Sequence, residues 1–158
     1  MILGLGVDVC DVERIRRALE APTGERFRAR VFTAAEQAYC EARRRGRFAS
    51  YAARFAAKEA AMKALGTGWA EGVGWHDFEV VRGVNGPPRL ALHGKAAALA
   101  RRRGMGRWLL AMSHAGAAAV ASVVVEGDDA VRRAGAGRAG GRRGAGGGSA
   151  PRRPRGRL

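Results

Sequence analysis

The sequence predicts an α+β domain with a mostly antiparallel sheet and helices packed on one face. Three observations lead there. Leu3, Leu5, Val7 and Val9 alternate with Gly4, Gly6 and Asp8, the period of a strand with one buried face. Residues 50–65 (SYAARFAAKEAAMKAL) are alanine-rich, free of proline and followed by Gly66, which marks a long helix with a glycine stop. Beyond Gly68 the pattern turns to short β-rich runs separated by glycine-containing loops.

The elements follow in order. The opening strand runs through Val9, with the leucines and valines expected inside and Asp8 on the opposite face. Asp11 is placed to cap a helix over 12–20, with Val12, Ile15 and Leu19 on one side. Residues 21–25 (APTGE) read as a turn. Thr33 and Glu36 have capping-box spacing and open a helix to about Arg45. Two strands, 75–82 and 89–92, flank a Gly/Pro-rich loop at 83–88. Residues 94–104 form a helix with a basic end. Residues 108–113 and 118–126 make a second antiparallel pair around a turn at His114-Ala115-Gly116.

Composition divides the chain. Its 158 residues carry a formal charge of +15. Residues 127–158 hold nine arginines, ten glycines and no aromatic residue, so they cannot bury enough apolar surface to offset the entropy of ordering; we read them as a disordered tail behind a domain at 1–126. An Arg/Gly segment binds nucleic acid or other acidic surfaces weakly. In the body, a moderate positive charge favours an acidic partner or a phosphorylated ligand. No apolar run reaches the ~18–20 residues of a membrane span. The N-terminus lacks the basic leader of a secretory signal. Two cysteines, Cys10 and Cys40, make neither a disulfide scaffold nor a zinc knuckle, and a reducing cytoplasm is expected.

Two acidic residues stand out. Glu59 shares a helix face with Phe55 and Met62, beside Ala52 and Ala56. Asp8 sits in an apolar strand. A carboxylate among apolar neighbours is costly unless paired or metal-bound. Glu59 could pair with Lys63 at i+4 or with an arginine, and Asp8 could cap a strand end. Taken together, they suit a hard divalent cation such as Mg²⁺, held by one or two carboxylates plus phosphate oxygens and water. Arg54, Lys58 and Lys63 lie within two turns of Glu59 and are candidate phosphate clamps. Of 29 basic residues only three are lysines, and two of those flank Glu59. His114 follows a strand at a turn. His76 and His93 have no companions at metal-ligand spacing and receive no role. Trp69, Trp75 and Trp108 are read as core or interface residues.

Several segments in order resemble the holo-[acyl-carrier-protein] synthases, the small phosphopantetheinyl transferases. They are Gly4-Leu5-Gly6-Val7-Asp8-Val9 with Arg14-Ile15, then Arg54-Phe55-Ala56-Ala57-Lys58-Glu59-Ala60 with Lys63-Ala64-Leu65-Gly66-Thr67-Gly68. Asp77-Phe78-Glu79-Val80, Gly86-Pro87, Leu92-His93-Gly94 and Ser113-His114 follow. The resemblance covers residues 1–126 and leaves the tail out. It implies transfer of 4′-phosphopantetheine from coenzyme A to a serine of an acidic apo acyl carrier protein in fatty acid biosynthesis, releasing adenosine 3′,5′-bisphosphate. It implies Asp8 and Glu59 as Mg²⁺ ligands, and Lys63 with Lys58 on the phosphates. Arg54, His114 and the Gly86-Pro87 loop match coenzyme-contacting regions, and Arg14, Arg26 and Arg30 the carrier-docking region. Arg16 and Arg17 could add to that region but read rather as a solvated helix face. The serine proton could pass to a metal-bound water, to Glu59 or to Asp8. A homotrimer with shared active sites is also implied, and an alanine-rich core short of large residues is compatible with one. The competing reading, a nucleic-acid-binding protein, would call for exposed aromatics among the basic residues. Only 6% of residues are aromatic, and that reading leaves Asp8 and Glu59 without a purpose.

Overall fold

The computed structural model describes residues 1–68, 70–82 and 86–127. The proposed disordered tail beyond Gly127, Trp69 and the hairpin-loop residues 83–85 lie outside the described residues. The elements are β1 (Ile2–Asp11), α1 (Val12–Glu20), α2 (Gly24–Val31), α3 (Ala34–Ala42), α4 (Arg47–Leu65), β2 (Phe78–Arg82), β3 (Pro88–Leu92), α5 (Gly94–Arg102), β4 (Met105–Ala115) and β5 (Ala118–Gly127). Every strand pair is antiparallel: β1–β5–β4 make one sheet and β2–β3 a separate hairpin.

Local signals set most boundaries. Asp11 accepts the Arg14 amide at 2.8 Å and starts α1, whose Ile15 is buried. Thr33 and Glu36 close the capping box of α3. Gly66 ends α4 in the left-handed conformation at φ 79°, which glycine adopts without steric cost.

The face of β1 is the reverse of the sequence expectation. Gly4, Gly6, Asp8 and Cys10 point inward, whereas Leu5 and Val9 are 64% and 65% exposed. The cause is helix–sheet spacing. Alanines of α4 press its backbone onto β1, and a Cβ at Gly4 or Gly6 would overlap the carbonyl oxygen of Ala64 or Ala60. Small residues therefore fill the inner face, and the large ones are left outside. Register continues that outer face across the sheet, through rows Leu5–Val124–Leu109 and Val9–Val120–Ser113. Gly6→Val should lower unfolding free energy by about 1–3 kcal/mol or more through overpacking, measured by denaturant titration; unchanged stability would contradict this close packing.

The expected turn at 21–25 is shorter than expected, because α2 begins at Gly24. Its sequence GERFRARV is too polar to announce a helix. It is held by Gly24 fitting under the end of α1 and by Phe27 against Phe32 and Phe55, 6.2 and 6.5 Å between centroids. Residues 75–77 form a 3₁₀ turn ahead of β2, α4 starts at Arg47, and His114 lies within β4. Trp75 packs on Phe55 and Trp108 near Phe78, 4.9 and 6.5 Å between ring centres.

Candidate active site

β1 and α4 bring Asp8 and Glu59 to one place. Asp8 is on the inner, helix-facing side of its strand, and Glu59 is half-buried on the helix packed there. Lys63, one turn beyond Glu59, reaches across to β1: its ammonium donates to Asp8 Oδ1 at 2.9 Å and to the Val7 carbonyl at 3.0 Å. The i+4 pairing of Glu59 with Lys63 is thus not formed, and among the described residues the Glu59 carboxylate makes no hydrogen bond or ion pair. Burial, and then the neighbouring Asp8 charge, push the Glu59 carboxyl above its ordinary range; Lys63 and Arg14 only partly oppose this. Arg14 lies against the same spot, its guanidinium 5.9 Å from the Phe55 ring centre.

The chemistry of these two carboxylates fits a hard cation. A half-buried carboxylate without a partner among the described residues, next to a second carboxylate, fits a divalent ion as its counter-charge. Two carboxylates leave room for the waters and phosphate oxygens that Mg²⁺ prefers. Among the described residues no cluster of three or more His, Cys, Asp or Glu forms a closed metal cage. Burial pushes the Cys10 thiol up to about 11 and the Cys40 thiol up to about 12, which keeps both protonated at neutral pH.

Lys58 departs from the expectation of a phosphate clamp. Its ammonium is wholly enclosed and paired with buried Glu36 at 2.7 Å. The helix turns it into the core while Lys63 stays half-exposed, so only Lys63 of the two can meet a ligand's phosphates.

A second feature lies apart from the acid pair. A cavity of about 520 Å³ is lined by Tyr39, Arg43, Arg54, Arg82, Pro88 and His114, among others. Arg54 is nearly buried on its floor; its guanidinium carbon stacks 3.9 Å from the Tyr39 ring centre, and its Nε lacks a partner. Arg43 Nη2 and Arg82 Nη1 donate to the Tyr39 hydroxyl at 2.6 and 2.9 Å. Burial would raise the Tyr39 phenol, but these guanidiniums outweigh it and hold it below the usual range. Arg82 Nε also reaches the Gly86 carbonyl at 3.4 Å, which ties the Gly86-Pro87 segment to the cavity rim. Three guanidiniums and an imidazole around a concave surface of this size suit a phosphorylated nucleotide.

Arg54 and His114 therefore sit together, as do Asp8, Glu59 and Lys63, but none of the latter three lines the cavity. Arg14, Arg26 and Arg30 are exposed on α1 and α2. Sequence reasoning missed Tyr39, Arg43 and Arg82. The i,i+4 spacing of Tyr39 on α3 and Arg43 at its C-cap was the only local signal for them, and Arg82 joins them only through the fold.

A family described as the 4′-phosphopantetheinyl transferase superfamily matches residues 4–121. The holo-[acyl-carrier-protein] synthase of Anaeromyxobacter dehalogenans (strain 2CP-C) is 58% identical over 129 residues, 80% of this chain and 98% of that protein. The crystal structure of the Neisseria meningitidis holo-[acyl-carrier-protein] synthase superposes with a TM-score of 0.71 at 31% identity, over 80% of this chain and 99% of that one. That of the Bacillus anthracis enzyme, in complex with CoA (3′,5′-ADP), gives 0.66 at 32% identity over 81% and 99%. With its fold and three-quarters of its length in agreement, the chain belongs to the 4′-phosphopantetheinyl transferase superfamily.

Proposed function

We infer that this chain is a holo-[acyl-carrier-protein] synthase: it transfers 4′-phosphopantetheine from coenzyme A to a serine hydroxyl of apo acyl carrier protein and releases adenosine 3′,5′-bisphosphate. The observation that carries the reading is the Glu59 carboxylate, unpartnered among the described residues, beside an Asp8 that Lys63 holds. Mg²⁺ held by Asp8 and Glu59 would neutralise charge on the diphosphate as its P–O bond breaks. Lys63, the exposed cation at the pair, leaves Asp8 to hold a phosphate oxygen. The serine oxygen attacks the phosphorus on the pantetheine side, and its proton passes to an oxygen acceptor at the acid pair. Reactions of this kind depend mostly on positioning and electrostatics.

The Tyr39–Arg43–Arg54–Arg82–His114 cavity receives the nucleotide end of coenzyme A, with Gly86 and Pro87 at its rim. Because the acids do not line that cavity, we place the complete site between protomers. The outer apolar face of the β1–β5–β4 sheet supports the same reading, since its leucines and valines need a cover and a homotrimer supplies one. Arg14, Arg26 and Arg30 form a basic strip on α1 and α2 that steers an acidic carrier to the site. Among the described residues no helix is long and apolar enough to cross a membrane; both cysteines are free, and we place the reaction in the cytoplasm.

The test is an intact-mass assay with coenzyme A, apo carrier protein and Mg²⁺. The carrier should gain one phosphopantetheine, and omission of the metal should prevent it. An unmodified carrier in the presence of folded protein would overturn the function.

A further inference from the structure

Lys58 and Glu36 form the one ion pair, among the described residues, in which both side chains are fully enclosed. It is completely satisfied. Besides Glu36, the ammonium donates to the carbonyls of Val31 at 2.8 Å and Trp75 at 3.1 Å. Glu36 accepts the Thr33 amide and the Val80 amide, both at 2.9 Å. A buried pair of this kind is a poor source of stability compared with apolar packing, and its best use is to specify an arrangement. The arrangement specified here is the junction of five segments: the last residue of α2, the cap of α3, the middle of α4, the turn before β2, and β2 itself.

Two of those segments matter for the proposed reaction. Lys58 directly precedes Glu59 on α4, and it holds α2 by the carbonyl of that helix's final residue. α2 carries Arg26 and Arg30, both exposed and, among the described residues, free of ion pairs. Phe27 of α2 meets Phe55 one turn before Glu59. Lys58 thus links α2, which carries the basic residues, to the α4 turn that carries Glu59. We propose that Lys58 and Glu36 are positioning residues for carrier docking, holding α2 so that a partner seated on Arg26 and Arg30 presents its serine at Asp8 and Glu59. This rests on the transfer reading above, and the test separates the two.

The full chain is compared with Lys58→Met and Glu36→Gln at a temperature where circular dichroism shows each to be folded. The KM for apo carrier should rise by at least about tenfold, as expected when a contact surface is displaced by an ångström or less. kcat and the KM for coenzyme A should change by less than about threefold. In the Lys58→Met background, Arg30→Ala should cost less than it does in the unaltered chain, because the docking it serves is already lost. Thr33→Val keeps both buried charges while removing the hydroxyl that accepts the Glu36 amide, and should raise the carrier KM in the same selective way but less. The proposal is overturned if folded variants keep the wild-type carrier KM, or if kcat and the coenzyme KM move with it. It is equally overturned if Lys58→Met does not fold while Thr33→Val is silent. Failure of the unaltered chain to modify any carrier would refute the transfer reading instead.

Discussion

Glu59→Gln is expected to reduce phosphopantetheine transfer by at least about a thousandfold, the loss of roughly 4 kcal/mol of transition-state stabilisation that a misheld metal ion would produce. The same variant should unfold at an equal or higher temperature than the unaltered chain in metal-free buffer. Burial and Asp8 raise the Glu59 carboxyl above 4.5 in the folded protein, so its ionised form costs stability at neutral pH. That cost is present above the raised native value, and it disappears as pH falls through that value towards the unfolded one. Glutamine mimics the neutral acid with little change of shape. The stability gap between variant and parent should therefore be widest near neutrality and close on acidification, in thermal melts followed by circular dichroism. A large loss of stability in Glu59→Gln would instead make Glu59 a structural residue.

The second large effect is expected from the bare sheet face. Leu5→Arg or Val9→Arg places a charge in the apolar outer row without touching the inner packing of Gly4 and Gly6. A charge buried without a partner at an assembled interface is costly. Each variant should run as a folded monomer in light scattering, and its activity should fall by about a hundredfold or more, because a misplaced site loses that much. Mixing Glu59→Ala with Arg82→Ala chains should recover some activity, because an intact acid pair of one protomer then meets an intact cavity of its neighbour. Retention of full activity by a proven monomer would contradict the shared site.

The acid pair was legible in the sequence because each acid breaks an apolar pattern, and such a break has few physical explanations. The capping box at Thr33, the cap at Asp11 and the Gly66 stop were legible because they are local. The orientation of β1 was not. Alternation fixes which residues share a face, but which face is covered depends on how closely α4 can approach, and that is set by alanines some fifty residues away. Lys58 illustrates the same limit. On a helix it stands next to Glu59, yet 3.6-residue periodicity turns it into the core, where the partner it needs, Glu36, belongs to another helix. The Tyr39 cavity joins α3, α4, β2 and β4, so no window of sequence could display it. α2 was missed because two phenylalanines, one in it and one just beyond it, and a buried carbonyl contact hold it rather than any intrinsic propensity.

Mn²⁺ titration followed by electron paramagnetic resonance, with coenzyme A present, tests most directly whether Asp8 and Glu59 jointly hold one divalent ion beside a diphosphate. One ion should be sequestered per protomer in the unaltered chain, and binding should weaken by about two orders of magnitude or more in both Asp8→Asn and Glu59→Gln, as the loss of a charged ligand requires. Equal Mn²⁺ affinity in all three proteins would contradict the account.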